Sequence, residues 1–149
     1  MRRLTSGFEE GTIVPYSLAF QQRFRYDSLE QGITLDVVLS RGQEYAVCAA
    51  KIDTGAQFCL FEREIAEGLG IEVERGWRVE IGTLAGSLVA FGHEISLETM
   101  GLNSHTVVYF PLHYNLQRNI LGRQGWLQLV KLAVVDYDSE IYLSPYDKA

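Results

Sequence analysis

Cysteine, proline and histidine are all scarce in this chain: two, three and three residues respectively out of 149. Two thiols cannot build a disulfide framework, and Cys48 and Cys59 both fall in apolar stretches, where buried free thiols are expected. His93, His105 and His113 share no metal-ligand spacing with either cysteine, so neither a metal site nor a cofactor is expected. Basic side chains are in the minority, with 13 Lys and Arg against 19 Asp and Glu, a net charge of -6. That balance argues against nucleic acid as a general partner, which requires clustered cations. No apolar run approaches the length of a membrane span, and no membrane partner is expected. Arg2-Arg3 leads into Leu4-Thr5-Ser6-Gly7 rather than an apolar segment, so no secretory signal is visible and the expected location is cytoplasmic.

What is present is an ordinary globular composition, 47% hydrophobic and 21% charged, with 14 glycines. The length suits one domain with a proper core. Residues 1–30 are broken by Gly7, Gly11 and Pro15 and are set apart as an N-terminal arm or tail, leaving residues 31–149 as the domain. From Ile33 the pattern is one of strands. Residues 33–39 are apolar and β-branched, and Ser40-Arg41-Gly42-Gln43 is a turn. Residues 44–52 are nearly continuously apolar, as in a strand covered on both faces, and residues 58–61 read as its continuation. Phe61, Ile65 and Leu69 recur every four residues, predicting a helix of about two turns stopped by Gly70. Trp77, Val79 and Ile81 alternate with polar residues, as do His93, Ile95 and Leu97. Trp77 and Trp126 occupy core-like positions. A short helix is expected over residues 124–130, and a closing hairpin over 131–136 and 141–143. Many short strands with one or two short helices predict an all-β domain closed on itself.

The stretch with chemistry in it is Lys51-Ile52-Asp53-Thr54-Gly55-Ala56. An acid leaving a buried strand into a glycine-containing turn is costly unless hydrogen bonds satisfy it. Gly55 lacks a Cβ, which would let backbone amides face the carboxylate. Asp53 is therefore the expected catalytic group. As a bare tripeptide, Asp-Thr-Gly is also an ordinary turn between strands.

A second motif, Asn119-Ile120-Leu121-Gly122-Arg123 followed by Trp126-Leu127, lies near the other end of the chain. Together the pair resembles the retropepsin-like aspartic proteases, the single-lobe relatives of pepsin, over roughly residues 33–143. The resemblance implies a closed acid-protease barrel over residues 31–149. It implies that Ile120, Leu121 and Gly122 cross beneath Asp53 in a psi-shaped loop. It implies that Gly82, Thr83, Leu84, Ala85 and Gly86 form a flap over a bound peptide or protein substrate. Only one Asp-Thr-Gly is present, so the two acids of an aspartic protease would come from two copies of the chain. By the same resemblance Thr54, Gly55 and Ala56 would support the catalytic loop, with Thr54 reaching across the two-fold axis and Gly55 offering its N–H to the carboxylates. Retroviral members pair their chain ends into a sheet between subunits. Here some thirty extra residues precede Ile33, and Gln57 stands where the family commonly has Ser, Thr or Asp. The expected function is a homodimeric aspartic endopeptidase. The alternatives are a peptide-binding or assembly module that keeps the fold without cutting, and a domain of a larger machine.

Overall fold

The computed structural model describes residues 14–114 and 116–146; the first thirteen residues of the expected arm lie outside that range. Nine strands and one α-helix follow in order. They are β1 (Gln22–Arg25), β2 (Thr34–Arg41), β3 (Glu44–Ile52), α1 (Arg63–Gly68), β4 (Trp77–Thr83) and β5 (Gly86–Thr99). After them come β6 (Leu102–Pro111), β7 (Ile120–Leu121), β8 (Val130–Val135) and β9 (Glu140–Pro145). Three short 3₁₀ turns punctuate the chain at Val73–Arg75, Leu127–Leu129 and Asp136–Asp138. A six-stranded sheet runs β4-β5-β2-β3-β7, with β6 also on β5, and a three-stranded sheet runs β1-β9-β8. All pairings between strands are antiparallel except β3 with β7. No helix among the described residues is long and apolar enough to cross a membrane.

Period-two alternation explains why these segments pack as they do. Leu35, Val37 and Leu39 of β2 face inward with Ile95 and Leu97 of β5 and Val108 and Phe110 of β6. Each such side chain contributes about 1.5–3 kcal/mol on burial. Trp126 closes the same core, and its indole N–H donates to the buried Thr99 hydroxyl at 3.0 Å. Ala66 and Leu69 bring α1 onto the core, and Tyr26, Ile141 and Leu143 bring in the smaller sheet. Tyr26 also hydrogen-bonds the Asp136 carboxylate. That bond, with burial and the carboxylate's charge, pushes the tyrosine hydroxyl up to about 12.

Several expectations need correction. β3 is not covered on both faces: Tyr45 is 71% and Val47 65% exposed, and with the exposed Ala49 they make one open face of the strand. Residues 58–61 make isolated bridges rather than a strand, since Phe58 pairs with Gln124 whereas Leu60 pairs with Tyr109 and Ile120. The expected helix over 124–130 is a single 3₁₀ turn. Trp77 is 59% exposed, at the start of an outer strand of the larger sheet. β1 lies within the stretch set apart as an arm or tail, yet it pairs with β9 of the same chain, Gln22 opposite Leu143 through Arg25 opposite Glu140.

Candidate active site

Asp53 stands where β3 runs out between two neighbours. The Ile52 N–H donates to the Ile33 carbonyl at 2.8 Å on one side, and the Asp53 N–H donates to the Leu121 carbonyl at 3.0 Å on the other. The chain then turns, with the Ala56 N–H returning to the Asp53 carbonyl at 3.2 Å. Within this turn the Gly55 N–H donates to Asp53 Oδ1 at 3.0 Å, the local side-chain-to-backbone bond that short acids favour. Asp53 is half-buried, whereas Thr54 and Gly55 are exposed at the tip. A Cβ on Gly55 would meet only Asp53 Oδ1, at an ordinary 3.4 Å. Within one chain, the space over Gly55 is open.

The close approach lies instead at Gly122. A Cβ there would collide with the carbonyl oxygens of Phe58 and Ala56. The loop after Asp53 and the segment after β7 therefore cross in direct backbone contact. The Arg123 N–H donates to the Ala56 carbonyl at 2.9 Å and the Gln124 N–H to the Gln57 carbonyl at 2.8 Å. Leu60 and Ile120 exchange both backbone hydrogen bonds at 2.9 and 2.7 Å. The buried Cys59 sulfur sits 3.4 Å from the Gly122 nitrogen. Burial pushes this thiol up to about 11, so it packs beneath the loop and is a poor nucleophile.

Asn119 is a residue that sequence reasoning quoted without giving it a role. Its Nδ2 donates to the Ala49 carbonyl at 3.0 Å and its Oδ1 accepts the Glu62 N–H at 2.9 Å. It is buried, and it ties β3, the α1 entrance and β7 together. The available signal was weak, a polar amide immediately before the apolar pair Ile120-Leu121 but also directly after Gln117 and Arg118.

Asp53 lies in a cleft of about 820 Å³, within the range of ligand sites. Gly55 and Ala56 share its floor, Phe58, Leu60, Leu88 and Ile120 give it apolar walls, and Ile81 to Leu84 of the β4–β5 hairpin line it from another side. The hairpin turns through Leu84-Ala85, with Thr83 paired to Gly86 and Gly86 at φ 125°, a conformation that only glycine holds without strain. Residues 82–86 are all exposed, and the Thr83 hydroxyl donates to the Gly86 carbonyl at 2.8 Å. Of the site residues read from the sequence, Asp53, Gly55, Ala56, Gly82, Thr83, Leu84 and Ile120 meet in this one cleft. Thr54, Ala85 and Gly86 are not on its surface, and Leu121 and Gly122 act from beneath as buried supports. Glu80 is the other acid on the cleft wall, and it is held by Arg78 at 3.1 Å. A separate cleft of about 400 Å³, beside Arg41, Trp77 and His105, contains none of the motif residues.

Neither a family model nor a curated protein matches the chain. Among solved structures, an EIAV protease complexed with the inhibitor HBY-793 is similar over 65% of this chain and 86% of that one, with a TM-score of 0.51. The fold is retropepsin-like. At 20% identity the likeness speaks for the fold alone, an all-β domain with little helix. In this retropepsin-like frame, the Asp53 turn and the Gly122 crossing are the two ordered pieces that the sequence motifs marked.

Proposed function

We propose that the chain is one half of an aspartic endopeptidase, active when two copies bring their Asp53 side chains together about a two-fold axis. The observation that carries the reading is the 820 Å³ cleft with Asp53 on its floor and the Gly82–Leu84 segment of the hairpin beside it. Support comes from the exposed Gly55, which leaves the space above the carboxylate free for a second chain. The only other acid on the cleft wall, Glu80, is committed to Arg78, so a lone chain has half of the required pair.

In the assembled pair, two like charges at contact distance keep one proton between them, as in aspartic proteases. The ionised member takes a proton from water as the water attacks the peptide carbonyl. The protonated member donates to the carbonyl oxygen, and the two titration steps belong to the pair. Thr54, exposed at the tip, reaches toward the partner's loop and holds the two turns together. The β4–β5 hairpin acts as the flap, and the peptide lies extended beneath it as an added strand. Cytoplasmic work on a peptide or protein substrate completes the proposal.

Replacement Asp53→Asn tests it. Cleavage of a peptide library is expected to fall by about a thousandfold or more, the scale of losing a general acid–base group. The melting temperature is expected to stay close to that of the parent. Turnover retained in this variant, or sedimentation showing only monomer with a peptide inhibitor present, overturns the mechanism. One observation favours a second reading, a peptide-binding module without cleavage: a single chain already supplies apolar cleft walls at Phe58, Leu60, Leu88 and Ile120 but only one acid of the pair. That reading predicts peptide affinity in a monomer and no hydrolysis.

A further inference from the structure

Beside the Asp53 cleft lies a smaller polar pocket of about 320 Å³, lined by Gly55, Gln57, Arg123, Gln124 and Gln128. It shares Gly55 and Gln57 with the larger cleft, so the two adjoin. The backbone of this pocket is fixed. Arg123 and Gln124 are zipped to Ala56 and Gln57, and the Gln128 N–H donates to the Arg123 carbonyl at 3.0 Å. The side chains hung on that frame are exposed at Gln57, Arg123, Gln124 and Gln128. Arg123 forms no ion pair among the described residues, although acids outnumber bases by 19 to 13 in the chain. A guanidinium fork surrounded by three amides that can each donate is matched to a planar anion with several acceptor sites.

We infer that Arg123, framed by Gln57, Gln124 and Gln128, is a carboxylate-reading subsite of the Asp53 cleft. The ligand class is a peptide with a carboxylate next to the segment over Asp53. That carboxylate belongs to an Asp or Glu side chain or to a free C-terminus, groups with the same charge and shape. The chain's overall negative field disfavours acidic peptides in general, so a preference for them has to be made locally, at this cation. The inference rests on reading the cleft as a peptide site, and its test uses binding, so the two readings fail separately.

Peptides of randomised sequence are passed over immobilised Asp53→Asn protein, and the retained fraction is sequenced by mass spectrometry. Four pools are compared: Asp and Glu included, or replaced by Asn and Gln, each with a free or an amidated C-terminus. The retained fraction is expected to be enriched about tenfold in one carboxylate source, the effect of one charge-assisted contact. Enrichment that survives amidation assigns the side chain, and enrichment lost on amidation assigns the terminus. Adding Arg123→Gln is expected to abolish the enrichment while leaving the melting temperature near that of the parent, because the backbone bonds at 123 do not involve the side chain. Equal retention of all pools, no retention of any, or enrichment unchanged by Arg123→Gln overturns the inference. So does an Arg123→Gln effect confined to dimer dissociation, which would assign the guanidinium to the partner copy. Cleavage by the wild-type chain without acid preference overturns the subsite and keeps the peptidase. Acid-selective binding without cleavage does the reverse.

Discussion

The loop under Asp53 and the hairpin that faces it across the cleft are built on opposite plans. The loop is locked by backbone bonds in both directions, and Gly122 is packed so tightly that a methyl group would strike two carbonyl oxygens. The hairpin tip at 82–86 is exposed throughout, and a Cβ at Gly82 would touch nothing within 4 Å. One wall of the cleft is therefore rigid and the other has room to move. The proposed peptidase, which has to hold a carboxylate in fixed geometry while admitting a peptide, would need both.

That contrast can be broken by substitution. Gly122→Ala is expected to have the largest effect, destabilising by about 3 kcal/mol, the upper end for overpacking. It should appear as a lower urea midpoint with little change in slope. A variant as stable as the parent would show that the crossing gives way. Next comes Asn119→Ala, which strands the Glu62 N–H and the Ala49 carbonyl and should cost about 2 kcal/mol in the same titration. An unchanged midpoint there would remove Asn119 from the framework. Smallest is Gly82→Ala, expected within about 0.5 kcal/mol of the parent because the site is open. Amide exchange should sharpen the same contrast, with residues 82–86 exchanging well before residues 119–124.

Much of this was legible in advance where a residue type had one physical explanation. Leu35, Val37 and Leu39 alternate with polar or outward-facing neighbours, and β2 follows directly. The Asp-Thr-Gly and Ile-Leu-Gly segments marked two pieces that do meet, because each needs a turn at the end of a buried strand. The misreadings came where a local pattern had more than one tertiary outcome. The apolar run of β3 suggested cover on both faces, but apolarity alone does not say whether a neighbour is present, and Tyr45 and Val47 are exposed. Gly122 was quoted only as part of a motif, and nothing local announced that its Cβ position is filled by the carbonyls of Phe58 and Ala56, more than 60 residues earlier. The strand Gln22–Arg25 has four exposed side chains and no alternation to reveal it; its pairing depends on β9, more than 110 residues away.

That distant pairing has a consequence for where the smaller sheet can take up another strand. Within one molecule, β9 already has a strand on each flank, β1 and β8. Among the described residues, a further strand can therefore add to this sheet only at the outer edge of β1 or of β8. Removing Gln22–Arg25 would bare one flank of β9 and expose a row of backbone groups able to pair with another strand.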